Sequence, residues 1–491
     1  MKRYLFLVLS SITLFFFIYP SAFLSSNTSL PDTNDTRLIS YIIGQVQQNI
    51  TLRQPLFYGT FFAPDTNTLS YSDAFITTSL ITLPFRLLTS SPIVIFNISL
   101  ILGFVLTFMS AYILFDYIFQ NTWLNIITTL LLTLSGYHFS YLPHLQMFNI
   151  WSLLLSIYFY LRFQKENNSH FLTLFFITVT LQLVESIFPV YLIFFTTFIL
   201  FLQKPSQIKK ILSKLLFFIP LWIILIFPYL KLHFTFPEAK RSIHDAAHFS
   251  LGLEEVFTKY HGTTSLVIFI LSSLFVKGIS AKSKSWWFLF TLSLLMSLGP
   301  VIKIFGNTLK VLGLPIPLPY FIFYYLFPGF TGFRTPSRFI ILTLLAITII
   351  SGYSLQKLFV KLKTKTKITV SLLILSLLLY ELSPPITSYP VDITPPQIYQ
   401  QVSTLPANSI ILELPIKLWN DKGHEIESIR SIYSLSHRHR RFGGFSGFAT
   451  NHWIETVQKI NEEGLNQENI NTLKLLGVTH VVERSHLTPL P

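Results

Sequence analysis

The chain has 491 residues, of which 51% are hydrophobic and only 12% charged, whereas an ordinary soluble globular protein carries about 25% charge. That excludes a soluble enzyme of common type and defines an α-helical polytopic membrane protein. The net charge of +14 would suggest nucleic acid in a soluble chain, but here the lysines fall in short loops between apolar runs, so no nucleic acid is expected.

Cysteine is absent, which excludes disulfides, zinc–thiolate sites and a cysteine nucleophile. Any chemistry falls to oxygen and nitrogen groups, with room for a divalent metal on oxygen ligands. Met1, Lys2 and Arg3 precede an apolar run at 4–24. Its roughly 20 residues, with no small-residue cleavage pattern at 25–29, read as an uncleaved anchor. Further apolar runs lie at 93–115, 124–141, 147–160, 171–184, 188–202, 215–230, 265–276, 286–302, 339–355 and 370–382, giving about 11 transmembrane helices.

Between the first two runs lies a polar stretch holding Asp32, Asp35, Asp65 and Asp73, four of the chain's 22 acidic residues. Asp32 and Asp35 precede an amphipathic helical pattern, Leu38, Ile39, Ile42, Ile43 and Val46, where capping alone could account for them. Asp65 sits in a Pro-Asp-Thr-Asn turn. The run 74–88 contains Pro84 and Arg86 and has about 15 residues where about 20 are needed, so it reads as interfacial or re-entrant. Conversely, 171–202 as one helix would measure about 48 Å against a hydrocarbon core of about 30 Å, and is expected to break at Glu185, Ser186 and Pro189.

With those two readings, every lysine-rich short loop falls on the side of Lys2 and Arg3: Arg162 and Lys165; Lys204, Lys209, Lys210 and Lys214; Lys277, Lys282 and Lys284; Lys357, Lys361, Lys363, Lys365 and Lys367. The positive-inside rule makes that side cytoplasmic, in the inner membrane of a cell, with the N-terminus inside. Residues 1–383 then form a transmembrane domain whose first outer loop is 25–92. Residues 384–491 form an extracytoplasmic α/β domain: a strand at 409–416, a glycine-rich turn, helices at 453–464 and 468–476, a C-cap at Gly477 and a strand at 478–483. Its basic run, His437, Arg438, His439, Arg440 and Arg441, reads as a solvated or phosphate-facing surface.

Several segments carry a specific resemblance: DTRLISYIIGQV from Asp35, PLFYGTFFAPDTNTLSYSD from Pro55, SPIVIFNISLILGF, SGYHFSYLPHLQMFNIW, LGP at Leu298, PGFTGFRTPSRF at Pro328, and LELP followed by FGGFSGF. In order and placement the chain resembles bacterial membrane proteins of the GT-C glycosyltransferase superfamily. It departs from them in having Ala74 after YSD, where relatives often carry His, and in lacking an acidic pair in the first loop. The resemblance implies a polyprenyl-phosphate sugar as donor, in contact with membrane lipid, and a glycan, lipid or protein acceptor.

Inverting glycosyl transfer needs one carboxylate to take the acceptor's proton, while the phosphate leaves as a stable anion. Asp35 is the candidate catalytic base, matching the family's first-loop acid; Asp32 and Asp73 are second choices, as orienting or metal-coordinating partners. For the phosphate, Thr335 reads as an N-cap and Pro336 as the first helical residue, flanked by Arg334 and Arg338. Snorkelling arginines at a span end would give the same pattern. His144, Gln146, Glu185 and His244 are candidate lining residues. Two other classes stay open: a transporter or flippase of lipid-linked glycan, and a non-catalytic membrane scaffold with a partner-binding outer domain.

Overall fold

The computed structural model describes residues 2–258, 262–275, 283–483 and 486–490. Lys277 and Lys282 of the expected cytoplasmic loops lie outside the described residues. The chain is mostly helical and divides into two compact units. The first comprises Met1–Pro20, Leu100–Ile224 and Lys240–Ile386; the second comprises Ser21–Ser99, Leu225–Ala239 and Thr387–Pro491.

In the first unit, helix lies within each apolar run. Pro336–Phe359, together with Pro205–Thr235, which ends in the second unit, and Pro92–Phe119, which begins there, are the three helices among the described residues long and apolar enough to cross a membrane. The other helices in the expected spans have 12 to 18 residues, about 18 to 27 Å. Only 11% of the most apolar window of Pro205–Thr235 is buried, as a lipid-facing helix requires.

The expected break is present. One helix ends at Glu185, Ser186 is extended, and the next helix starts at Phe188 with Pro189 in its first turn, where proline's missing N–H costs nothing. The run 124–141 is a correction: its helix stops at Thr133, and Gly136–Ser140 is a separate turn. Thr128, Thr129 and Thr133 bond back to carbonyls one turn earlier, and Ser135-Gly136 follows, so the backbone has alternatives to continuing.

The second unit joins the first polar loop to the C-terminal segment. Helix Asp35–Leu52 packs on helix Glu425–His437, with Gly44 against Leu435 and the Gln48 amide donating to the Leu435 carbonyl at 2.8 Å. The run 74–88 is a seven-residue helix, Ile76–Thr82, followed by a 3-10 turn through Leu87. A four-stranded sheet has Ile410–Leu414 paired in parallel with Arg440–Arg441 on one side and His480–Glu483 on the other; His486–Pro489 adds antiparallel to the latter. Helices Asn451–Glu463 and Gln467–Leu475 lie between the strands in sequence, each with a polar side chain (Thr450, Asn466) accepting from its first turn.

Candidate active site

The candidate residues divide between the units. His144, Gln146, Glu185, His244, Arg334 and Arg338 belong to the first; Asp32, Asp35 and Asp73 belong to the second.

Within the first unit the loop Phe327–Phe339 is seated on the 185–188 break. The Tyr191 hydroxyl donates to the Pro328 carbonyl at 2.7 Å, and Phe188 packs edge-on against Phe333 and Phe339. The Arg338 guanidinium lies 5.5 Å from the Phe188 ring centroid, and Arg334 lies 5.1 Å from that of Phe249. An aromatic face attracts a guanidinium through its π-electrons. The Nε of Arg338 is buried with no hydrogen-bond partner among the described residues.

Thr335 does not cap a helix. Residues Pro336–Phe339 form a 3-10 turn, and the α-helix begins at Ile340. The restriction imposed by the following proline holds Thr335 at φ −123°, ψ 76°, and its side chain makes no capping bond. Positive charge at this loop therefore comes from guanidinium groups, not from free helical N–H groups. Glu185 and Gln146 are buried, the Gln146 carbonyl oxygen having no partner among the described residues; His144 is half-buried and His244 exposed.

Within the second unit, Asp32 is a turn acid. One carboxylate oxygen accepts from the Asn34 and Thr36 N–H groups, both at 3.0 Å, and from the Thr36 hydroxyl at 2.8 Å. Arg37 is near enough to feel the Asp32 and Glu425 charges, which oppose the lowering of its pKa by burial. Asp35 is the first residue of its helix and half-buried. Asp65 is more than a turn residue: its carboxylate accepts from the Tyr71 hydroxyl, and burial together with that bond raises the tyrosine's pKa.

The basic run is a second correction, because it is built into the interior. His437, His439 and Arg441 are buried, with Arg438 exposed and Arg440 half-buried; His437 ends a helix, Arg438 is its left-handed cap, and Arg440–Arg441 are strand. Arg441 is 0% exposed, pairs with Glu413, donates to Glu427 at 2.8 Å and donates to the Ser431 hydroxyl at 3.0 Å. Arg430 pairs with the other oxygen of Glu427 at 2.7 Å and caps the Pro415 carbonyl at 2.8 Å. Tyr399 donates to Glu413, and its ring stacks on His437. A Cβ at Gly443 would stand 2.7 Å from a Glu427 oxygen, so the glycine lets this carboxylate in.

Charge balances here, two carboxylates against two guanidiniums. Burial alone would raise the Glu413 pKa, but Arg441 and Arg430 outweigh it and hold the group ionised. The backbone around Arg441 also ties in the first loop: its N–H donates to Thr60 at 2.6 Å and its carbonyl accepts from Ala63 at 2.9 Å. No feature of Glu413 or Glu427 in the sequence marks them as partners of Arg441.

Among the described residues no three of His, Asp and Glu converge as ligands of one ion, and Asp32 is committed to its turn.

The chain is similar in structure to the mycobacterial arabinofuranosyltransferase AftD, with a TM-score of 0.56 and 13% identity, over 99% of this chain. It spans 35% of that protein's chain. No family model matches the chain, and no curated protein matches it.

Proposed function

We propose that the protein is a multi-pass membrane glycosyltransferase that moves a sugar from a polyprenyl-phosphate donor to an extracytoplasmic glycan, lipid or protein, with inversion. The observation that carries this reading is the likeness of nearly the whole chain to a solved arabinofuranosyltransferase. Three long apolar helices support a membrane setting.

In the reaction, the Asp35 carboxylate accepts the proton of the acceptor hydroxyl as that oxygen bonds to the anomeric carbon. The bond from that carbon to the phosphate oxygen breaks on the opposite face, and the phosphate leaves with the electron pair. Arg334 and Arg338 meet the anion, each charge-assisted contact stronger than a neutral one. Asp32 holds the entry to the helix that carries Asp35.

The test is transfer from membranes supplied with polyprenyl-phosphate sugars. Asp35→Asn keeps the side chain's size but cannot accept the proton, and should lower the rate by about 100-fold to 10,000-fold. Asp32→Asn should lower stability by about 1 kcal/mol and retain transfer. An active Asp35→Asn enzyme would remove Asp35 from the chemistry. Inactivity of the wild-type chain with every such donor would overturn the transferase reading.

A further inference from the structure

Between helix Lys284–Ser297 and helix Ile340–Phe359 the chain makes an excursion of two β-hairpins. Strands Lys303–Ile304 and Asn307–Thr308 pair around Phe305 and Gly306, and strands Lys310–Val311 and Leu314–Pro315 pair around Leu312 and Gly313. The Leu309 N–H donates to the Ile302 carbonyl at 2.8 Å and closes the first hairpin. Val301 pairs with Pro317, and the Leu318 N–H donates to the Pro300 carbonyl at 2.9 Å, which ties the base of both hairpins close behind Ser297, the end of an expected span.

Each turn has two central residues, and all four have positive φ: Phe305 at 46° and Gly306 at 78°, Leu312 at 52° and Gly313 at 82°. These are type I′ turns, whose first position favours asparagine or aspartate because a bulky side chain there crowds its own backbone. That position holds Phe305, 78% exposed, and Leu312, 98% exposed. Both tips therefore carry strain with almost no packing among the described residues to offset it. The same outlier twice in one excursion points to a contact that the tips make outside the chain.

The neighbouring residues identify the partner. Val311 and Leu314 are also exposed, and helix Pro319–Leu326, which follows, turns Phe321, Ile322, Tyr325 and Leu326 outward while burying Tyr320 and Tyr324. The outward positions form one helical stripe, apolar with an amphipathic tyrosine, as in an element lying in a membrane interface. No aspartate or glutamate occurs between Glu255 and Glu381, and Lys310 is exposed in the second hairpin, so the excursion meets a plane of lipid phosphates without repulsion. Base and tip are four or five residues apart, roughly 13–17 Å at about 3.3 Å each, enough to cross a headgroup layer of about 5–8 Å and reach the acyl chains.

We propose that Phe305 and Leu312 insert into the adjoining lipid leaflet, so that the two hairpins anchor to the membrane the loop that goes on to carry Arg334 and Arg338. The proposal rests on the membrane setting of the chain, not on sugar transfer.

The chain has no cysteine, so Phe305→Cys and Leu312→Cys each offer a single thiol for an environment-sensitive fluorophore in the full-length protein in lipid nanodiscs. Each label should emit blue-shifted, be quenched more by lipids spin-labelled near the headgroup end of the acyl chain than near its methyl end, and be protected from aqueous iodide. Because an apolar fluorophore can draw its own site inward, a second measurement keeps the label at 305 and adds Leu312→Asn. Asparagine suits the turn and removes the apolar tip, so quenching by lipid should fall and quenching by iodide should rise. Full iodide quenching at both tips would overturn the proposal. So would a blue shift that no spin-labelled lipid quenches, which would assign the tips to a protein surface such as a second copy of this chain. Unchanged lipid quenching at 305 in the Leu312→Asn protein would overturn paired insertion.

Discussion

Arg441 and Glu427 form a fully buried ion pair, 2.8 Å apart, with side chains 0% and 1% exposed. Glu413, Arg430, Tyr399 and Ser431 satisfy the remaining positions around it. A buried pair gains little over an apolar replacement, because desolvation offsets the Coulomb attraction, but breaking it strands a charge.

Arg441→Ala should therefore destabilise the protein by about 3–5 kcal/mol, measured by thermal or denaturant unfolding of the full chain in detergent. Arg441→Lys keeps the charge but loses the fork that reaches Glu413, Glu427 and Ser431, and should fall between the two. Equal stability of Arg441→Ala and wild type would show the pair to be dispensable.

His437 gives a pH dependence. Burial pushes its pKa down from 6.5 to about 4, the Glu413 charge opposing and Arg441 and His439 assisting. Between those values the unfolded chain binds a proton that the folded one does not. Stability should thus be full above pH 6.5 and fall as pH drops toward 4, by up to about 3 kcal/mol. Replacing His437 with Gln should flatten the melting temperature over that window, and an unchanged slope would assign the effect to another group.

Arg338 is fixed over Phe188, with one buried nitrogen unpartnered among the described residues. Arg338→Ala and Arg334→Ala should weaken use of a lipid-phosphate donor by about 10-fold to 150-fold without unfolding the protein, as read from donor titrations of transfer. Unchanged donor dependence would return both side chains to a headgroup-anchoring role.

For topology, an activity reporter fused after Pro491 should work only outside the cytoplasm, and one placed within 361–367 only inside. Cytoplasmic activity at the C-terminal fusion would rule out the eleven-span arrangement.

How far the sequence foretells this structure depends on the distance between partners. Helix in the apolar runs and the break at Glu185, Ser186 and Pro189 follow from local composition and appear as expected. Helix Glu425–His437 and the burial of His437, His439 and Arg441 do not, because their partners lie elsewhere in the chain: Glu413 across a parallel strand pair, Thr60 in the first loop. A list of charges shows five basic residues together and suggests a wet surface; only tertiary pairing shows that alternate ones point inward. The acids of the first loop were visible as a group, yet the division of labour between Asp32, bound into its turn, and Asp35 depends on backbone geometry.

The pairing of Thr60 and Ala63 with Arg441 also sets a timetable. The amide that bonds Thr60 belongs to a residue synthesised 441 − 60 = 381 positions later. At about 5–20 residues per second that delay is roughly 20–75 s. Throughout it Phe62, buried against Trp453 in the finished protein, lacks that partner, so the first loop must wait unfinished until nearly the whole chain has been made.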